Sequence, residues 1–142
     1  MNTTEITPQD LHAADGLIPK DTPFVMLNLL RYREQADYSN YPEMTPCSGR
    51  DAYHQNYVPA FNKIAEAMPG IQLLWVGTAL ARLVGPPDED WDEVALVRYP
   101  SFAAFRALVE SSEYKTQASY HRLAALENWR LIAASQTLPA PD

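Results

Sequence analysis

The sequence has only one cysteine, Cys47, among its 142 residues. A single cysteine excludes an intrachain disulfide and suits a reducing compartment. Basic residues are also few: 11 Lys and Arg stand against 18 Asp and Glu, which gives a net charge of −7. With no basic cluster or basic amphipathic stripe, this balance argues against a nucleic-acid or an anionic-membrane partner. The apolar runs are too short to cross a bilayer, and the N-terminus lacks the regions of a signal peptide. We therefore predict a cytoplasmic protein with no membrane span.

Several signatures of catalysis are missing as well. His12, His54 and His121 do not have metal-ligand spacing, no glycine-rich phosphate loop occurs, and no serine lies in a nucleophile elbow. The sequence thus predicts neither a metal site nor a cofactor, although haem ligation by His54 or His121 stays open. Cys47 lies in a loop without an adjacent histidine, so a reactive thiolate would need a partner supplied by the fold.

The length fits one globular domain over residues 1–142. Within it we expect an N-terminal extension at 1–21, a core at 22–134 and an inserted loop at 34–47 that contains two prolines and three acidic residues. Thr7 before Pro8 is a good N-cap, and it predicts a short helix through Ala14 that stops at Gly16. The extension and the loop are therefore additions to a smaller core.

The core residues alternate between strand and helix patterns. The nearly continuous apolar run from Phe24 to Tyr32 predicts a central strand. A long amphipathic helix is predicted to open at Ser48 or Asp51, with a kink or break at Pro59. The remaining predicted elements are a hairpin of strands at 71–81 and 93–99, a helix capped by Ser101, a helix at 114–126 and a strand at 128–134.

This order is βαββαβ, which indicates an α+β, ferredoxin-like fold with a four-stranded antiparallel sheet and helices on one face. The other sheet face would then expose apolar side chains. An exposed apolar patch usually marks an interface, and a two-fold homodimer that packs sheet against sheet is the simplest way to cover it.

Three stretches of the sequence resemble the dimeric α/β-barrel superfamily, and in particular its domain-of-unknown-function family 1330. They run from Pro23 to Tyr32, from Trp91 to Pro100 and from Tyr114 to Arg122, and the likeness covers most of 22–134. The resemblance implies a pocket between sheet and helices, as in the cofactor-independent monooxygenases, lactone isomerases, polyketide cyclase-like proteins and haem enzymes of that superfamily. The N-terminal extension and the inserted loop depart from the minimal pattern and would cover such a pocket.

Polar residues on apolar surfaces are the candidates for chemistry. His121 lies on a helix face with small residues, and we expect it to point inward, where it could act as a general base beside a carbonyl. Arg98 or Asn28 would then hold the developing oxyanion. The alternative is that none of the three binds a ligand: His121 would be a satisfied core or interface group, Asn28 would bond to a neighbouring loop, and Arg98 would form a salt bridge to the dimer partner or be exposed at the strand end. Arg31 allows the same two interpretations as Arg98.

Four further residues are ligand-binding candidates. Tyr53, His54 and Tyr57 lie in or beside the apolar stripe of the long helix, and Trp75 lies in the first hairpin strand. Each could line a pocket, and each could equally be a packing residue. The functional prediction is a small-molecule-binding protein, either a cofactor-independent isomerase, cyclase or monooxygenase acting on a small carbonyl-containing or aromatic compound, or a non-catalytic ligand-binding or scaffold protein.

Overall fold

The fold is a four-stranded antiparallel sheet covered by helices on one face, seen in a computed structural model that describes residues 2–141. The strand order is β2-β3-β1-β4, as in the predicted ferredoxin-like arrangement. The strands are β1 (Phe24–Tyr32), β2 (Gln72–Thr78), β3 (Glu93–Tyr99) and β4 (Leu126–Ala134). The α-helices are α1 (Pro8–Asp15), α2 (Gly49–Asp51), α3 (Val58–Ala65), α4 (Phe102–Val109), α5 (Ser112–Gln117) and α6 (Ser119–Ala125).

Strand β1 shows how the alternation of side chains divides the sheet into two faces. Phe24, Met26, Asn28 and Leu30 are buried on the face toward the helices. Leu27, on the other face, pairs with Leu96 of β3. The pairing of β2 with β3 shifts between Leu73 and Trp75. Leu73 therefore pairs with Val97, on the helix-facing side, whereas Trp75 pairs with Leu96, on the other side.

The long helix begins where the sequence predicts, because the Ser48 hydroxyl accepts a hydrogen bond from the backbone N–H of Asp51 at 3.0 Å. Its irregularity lies one turn before the expected position at Pro59: residues Ala52–Tyr57 form a π-helix that leads into α3. Pro59 has no N–H to give and its ring crowds the carbonyl four residues earlier, so a widened turn preceding the proline relieves both problems.

Gly49 fixes the start of this helix against two other elements. Its N–H donates to the carbonyl of Arg33 at 3.1 Å. A β-carbon at this position would come within 2.2 Å of the Arg33 carbonyl oxygen and 2.6 Å of the Ala125 carbonyl oxygen. Only glycine permits that approach of three backbone segments, and the position of the whole π-helix depends on it.

The C-terminal helical segment differs from the single helix predicted at 114–126. Ala118, with φ of −121° and ψ of −50°, separates α5 from α6. Leu126 is already the first residue of β4. Because of this break, residues predicted to share one helix face pack in two different places. Ala118 packs with Tyr57 and Tyr114, whereas Ala125 packs with Tyr38 and Ala52.

Both additions to the core pack against it. The Thr7 side chain caps α1 as predicted, and Leu11 of α1 packs against the cluster of Phe102 and Phe105. The inserted loop is tied down by backbone hydrogen bonds from Ala36 to Cys47 and from Asp37 to Ala124, both 2.9 Å. Within residues 2–141, none of the helices has the length and apolar character needed to cross a membrane.

Candidate functional site

A cavity of about 340 Å³ lies between the sheet and the long helix. It is lined chiefly by apolar and aromatic side chains, among them Tyr53, Tyr57, Phe61 and Trp129, and Ile6 of the N-terminal segment closes part of its wall. The size and the lining are typical of a site for a small organic molecule. Asn28 and Glu93 of the sheet and His54 of the long helix are polar groups among its lining residues.

Glu93 is a buried carboxylate, with 3% of its surface exposed, at the start of β3. Its oxygens contact three side chains: Tyr32 Oη by a short hydrogen bond, Arg50 Nη2 at 2.9 Å and His54 Nε2 at 2.8 Å. Burial raises the pKa of Tyr32, and the hydrogen bond to Glu93 raises it further, so this phenol remains a donor. The carboxylate thereby fixes the orientation of the His54 ring.

His54 belongs to the π-helix, and its side chain is 38% exposed. Because Glu93 takes Nε2, the natural tautomer carries the proton on that atom and leaves a lone pair on Nδ1. A histidine with one nitrogen held by a carboxylate and the other available is the arrangement used in general-base catalysis. The chemistry available at this end of the cavity is therefore proton transfer.

Asn28 is buried between strands and faces the cavity. Its Oδ1 accepts the Trp129 indole N–H at 3.1 Å. Its Nδ2 has only long contacts, 3.5 Å to the Met26 carbonyl and 3.4 Å to the Ala95 carbonyl. Those contacts are at the limit of a hydrogen bond, so the amide retains donor capacity toward a ligand oxygen.

The tyrosines of the cavity wall are buried phenols. Tyr57 and Tyr114 share a hydrogen bond of 2.8 Å between their hydroxyls. Burial raises the pKa of Tyr57 well above its usual value, and burial also raises that of Tyr53. Both side chains are therefore neutral wall residues.

His121 does not line this cavity. It is 8% exposed and lies beneath the inserted loop, where its Nδ1 is 2.7 Å from Tyr38 Oη and its ring lies 3.9 Å from that of Tyr120. Asn56 Nδ2 also donates to Tyr38 Oη, at 3.1 Å. Burial lowers the pKa of His121, which favours the neutral imidazole. The arrangement matches the protein-satisfied alternative, because the break at Ala118 directs α6 toward the loop.

Three other candidates lie away from the cavity. Arg98 is exposed and pairs in register with Val25, on the outer face of the sheet, so the expected convergence of His121 with Arg98 does not occur. Arg31 forms a salt bridge of 2.9 Å with Glu127. Trp75 pairs with Leu96 on the outer face and is 54% exposed.

The residue that organises the cavity, Glu93, was missed by sequence reasoning. The signal was present: a carboxylate at the start of the strand shares its face with Ala95 and Val97, which are helix-facing residues. Tyr114, which is hydrogen-bonded to Tyr57 on the cavity wall, was not among the candidate residues either. Cys47 does not gain a reactive thiolate, because partial burial raises the pKa of its thiol. Within residues 2–141, no group of three or more His, Cys, Asp and Glu side chains could hold a metal ion.

Comparison with solved structures places this fold among known proteins. A protein of unknown function from Rhodopseudomonas palustris superposes with a TM-score of 0.84 at 30% identity, over 98% of this chain and 100% of that one. A methylated form of that protein gives 0.84 at 31% identity, over 99% and 98%. A protein from Bacteroides thetaiotaomicron named "putative antibiotic biosynthesis monooxygenase" gives 0.53 at 15% identity, over 85% and 95%, which shows a shared fold alone. No protein-family model and no curated protein matches the sequence.

Proposed function

The chain belongs to the same family as the Rhodopseudomonas palustris protein of unknown function, and we propose that it binds a small, mainly apolar carbonyl compound and transfers a proton on it. The observation that carries this proposal is the buried Glu93 carboxylate, which holds His54 at the wall of the cavity. Membership of the domain-of-unknown-function family 1330 is a finer proposal, carried by the three sequence stretches alone.

The roles follow from the contacts. His54 Nδ1 removes a proton from the carbon beside the carbonyl, and Glu93 stabilises the imidazolium that forms. The Asn28 amide donates to the oxygen on which negative charge develops. The aromatic walls exclude water, which strengthens both interactions. An enolate formed in this way is a starting point for isomerisation, cyclisation or oxygenation.

The cavity also limits the substrate class. A volume of about 340 Å³ accommodates a compound of one or two rings, and the walls offer apolar contact along most of their area. The pair of His54 and Glu93 is called the dyad below. Arg50, the arginine in contact with it, is already bonded to Glu93 and is not available to bind an anionic substrate. A neutral carbonyl compound therefore fits better than a multiply charged one.

Deuterium exchange tests proton transfer without knowledge of the product. A panel of one- and two-ring ketones and lactones is incubated with the protein in D₂O, and loss of the proton signal beside the carbonyl is followed by NMR. We expect the wild-type protein to exchange at least one compound, and His54→Gln to reduce the rate by about a hundredfold, within the range for loss of a general base.

The matched control is His12→Gln, which removes an exposed histidine of α1 that does not line the cavity. It should exchange at the wild-type rate. If compounds bind in the cavity but His54→Gln exchanges them as fast as the wild type, the dyad is not catalytic and the competing function, non-catalytic ligand binding, is the correct one. If no compound of the panel binds, the proposed ligand class is wrong.

We also propose that the protein is a homodimer through the outer face of the sheet. An apolar row crosses all four strands there, formed by Trp75, Leu96, Leu27 and Ile132. Trp75 and Ile132 are each 54% exposed, which is costly to leave in water over a continuous patch. A second copy of the same face covers it by two-fold symmetry.

Light scattering after size-exclusion chromatography tests the dimer. The wild-type protein should elute with twice the 16.0 kDa chain mass. Ile132→Glu should elute as a monomer, whereas Leu17→Glu, at a position 81% exposed elsewhere on the surface, should remain a dimer. A wild-type monomer at high micromolar concentration would show that this face is not the interface.

A further inference from the structure

Arg122 on α6 is a buried guanidinium without an acidic partner. It is 6% exposed, and among residues 2–141 no carboxylate lies within salt-bridge distance of it. A single side-chain hydrogen bond, from Nη1 to Tyr114 Oη at 2.5 Å, uses one of its donors. Nε is fully buried with no hydrogen-bond partner. A buried unpaired charge is destabilising, so its retention calls for an explanation.

The surroundings of Arg122 hold the guanidinium in place without neutralising it. The group lies over the Trp129 ring at 4.8 Å and near the Tyr114 ring at 5.8 Å. Aromatic faces stabilise a cation by their quadrupole and leave its N–H groups free to donate. The contacts therefore orient a cation that keeps donors beyond the one bonded to Tyr114.

Arg122 lines a second cavity, of about 260 Å³, between the N-terminal segment and helices α4 to α6. Two of the other charged residues on its wall, Arg106 and Glu110, form a salt bridge of 2.7 Å, and Arg106 is also paired with Asp15. Lys115 adds a positive charge, and Glu5, which is exposed, adds a negative one. Arg122 is therefore the buried charge on this wall that lacks an acidic partner among residues 2–141, and an anionic ligand would neutralise it.

We propose that this second cavity binds the carboxylate of a small organic acid on the Arg122 guanidinium. The planar fork matches a carboxylate, and Nη2 is the donor atom of the fork that is neither fully buried nor bonded to Tyr114. Ile6, Leu11 and Val109 form the apolar part of the wall and would contact a short hydrocarbon body. This site does not depend on His54, because it is built from other residues.

The two cavities are separated by few side chains. Tyr114, Ile6 and Val109 line both of them. The Tyr114 hydroxyl accepts from Arg122 and is bonded to Tyr57 on the first cavity's wall. A carboxylate bound to Arg122 would compete with this hydroxyl for the guanidinium. Binding in the second cavity should therefore change the hydrogen bond between Tyr114 and Tyr57.

Isothermal titration calorimetry of the full chain with butyrate, and with butyramide as its uncharged analogue, tests the proposal. We expect saturable binding of butyrate, no detectable binding of butyramide, and an affinity for butyrate about tenfold lower in Arg122→Lys, which keeps the charge but loses the fork. Arg82→Gln, in the hairpin connection away from this cavity, is the control and should bind as the wild type does. Inorganic phosphate is titrated in parallel.

Two further variants keep the test decisive if Arg122→Lys fails to fold. Both Glu5 and Lys115 are exposed, so Glu5→Gln and Lys115→Gln should fold. Glu5→Gln should strengthen butyrate binding by about threefold, and Lys115→Gln should weaken it by about threefold. Effects of this size are expected for partly screened charges. Equal binding of butyrate and butyramide, tighter binding of phosphate than of butyrate, or no response to either charge change would overturn the proposal.

Discussion

His54 and His121 are both held by one short hydrogen bond, of 2.8 Å to a carboxylate oxygen of Glu93 and of 2.7 Å to the hydroxyl of Tyr38. Both rings also pack against two tyrosines, but their burial and the charge of their hydrogen-bond partners differ. His54 is partly exposed at the wall of a cavity and is hydrogen-bonded to a buried carboxylate. His121 is buried among neutral rings, which disfavour it.

The comparison shows that the hydrogen-bond partner of a histidine, together with its access to a cavity, determines whether the imidazole can act as a base. A carboxylate stabilises the charged form that a general base must adopt, and the cavity gives a substrate access to it. A phenol offers a hydrogen bond without a compensating charge, and the loop above His121 excludes a ligand. The first region suits the proton transfer that we propose, and the second attaches the inserted loop to α6.

Gly49→Ala should break both regions at once, because the start of the long helix carries residues of each. The added β-carbon would meet the backbone carbonyls of Arg33 and Ala125 at 2.2 and 2.6 Å, and backbone cannot move aside cheaply. We expect a loss of about 3 kcal/mol in the free energy of unfolding, measured with urea.

The control for this change is Gly16→Ala. At that position φ is −84° and the nearest atom to a new β-carbon is the Ala13 carbonyl oxygen at 3.6 Å, an ordinary contact. Its stability should stay within about 0.5 kcal/mol of the wild type. Equal effects of the two substitutions would show that the three backbone segments are not in close contact at Gly49.

Glu93→Gln should affect the His54 region alone. The amide keeps the volume and one acceptor oxygen, but its NH2 group cannot accept a hydrogen bond and its charge is lost, so the donors of Tyr32, Arg50 and His54 can no longer all be satisfied. We expect about 2 kcal/mol of destabilisation, since hydrogen bonds to buried charges are worth about 1.5–3 kcal/mol, together with loss of deuterium exchange.

Glu127→Gln is the matched change on the surface. Its pair with Arg31 is exposed, with 43% and 37% of the two side chains accessible, and such pairs contribute between about 0 and 1 kcal/mol. Unfolding in urea measures both variants. If Glu93→Gln is as mild as Glu127→Gln, the carboxylate does not hold His54, and the two histidine regions do not differ as described.

Tyr38→Phe should affect the His121 region alone, and by less. It removes the hydroxyl that contacts His121 Nδ1 and Asn56 Nδ2, at a cost of about 1 kcal/mol for neutral hydrogen bonds. Tyr41→Phe, at a ring that stacks on Tyr120 from a more exposed position, should cost nothing measurable. Deuterium exchange should be unchanged in both, and a decrease in Tyr38→Phe would place His121 in the reaction after all.

Most of the fold could be predicted from the sequence, because strand alternation and helix capping are local signals. Thr7, Ser48 and Ser101 cap helices where their positions indicate, and β1 runs from Phe24 to Tyr32 as the apolar run predicts. The extent of the domain, the dimer and the localisation remain predictions.

The site could be predicted only in part. Asn28, Tyr53, His54 and Tyr57 line the cavity, whereas His121 and Arg98, which were expected to act with or beside Asn28, do not line it. The helical wheel assumes one phase from Tyr114 to Ala125, and the break at Ala118 shifts that phase without a glycine or proline to announce it. The partner of His54 is distant in sequence, on β3, so only the tertiary fold brings Glu93 to it.

The smallest expected effect is the pH dependence of stability at His121. Burial lowers the pKa of His121 below its usual value of 6.5. Between the two pKa values the unfolded chain binds more protons at this position than the folded chain, so its contribution to stability is fully present above pH 6.5 and is lost as the pH falls through the folded pKa. His121→Gln removes that contribution while the other two histidines remain, so the difference in urea stability between pH 7.5 and pH 5.5 should be smaller in the variant than in the wild type.

Equal differences would mean that the imidazole under the loop can be protonated without penalty. In that case the phenol would be as good a partner as the carboxylate, and the distinction between the two regions would rest on access to the cavity alone.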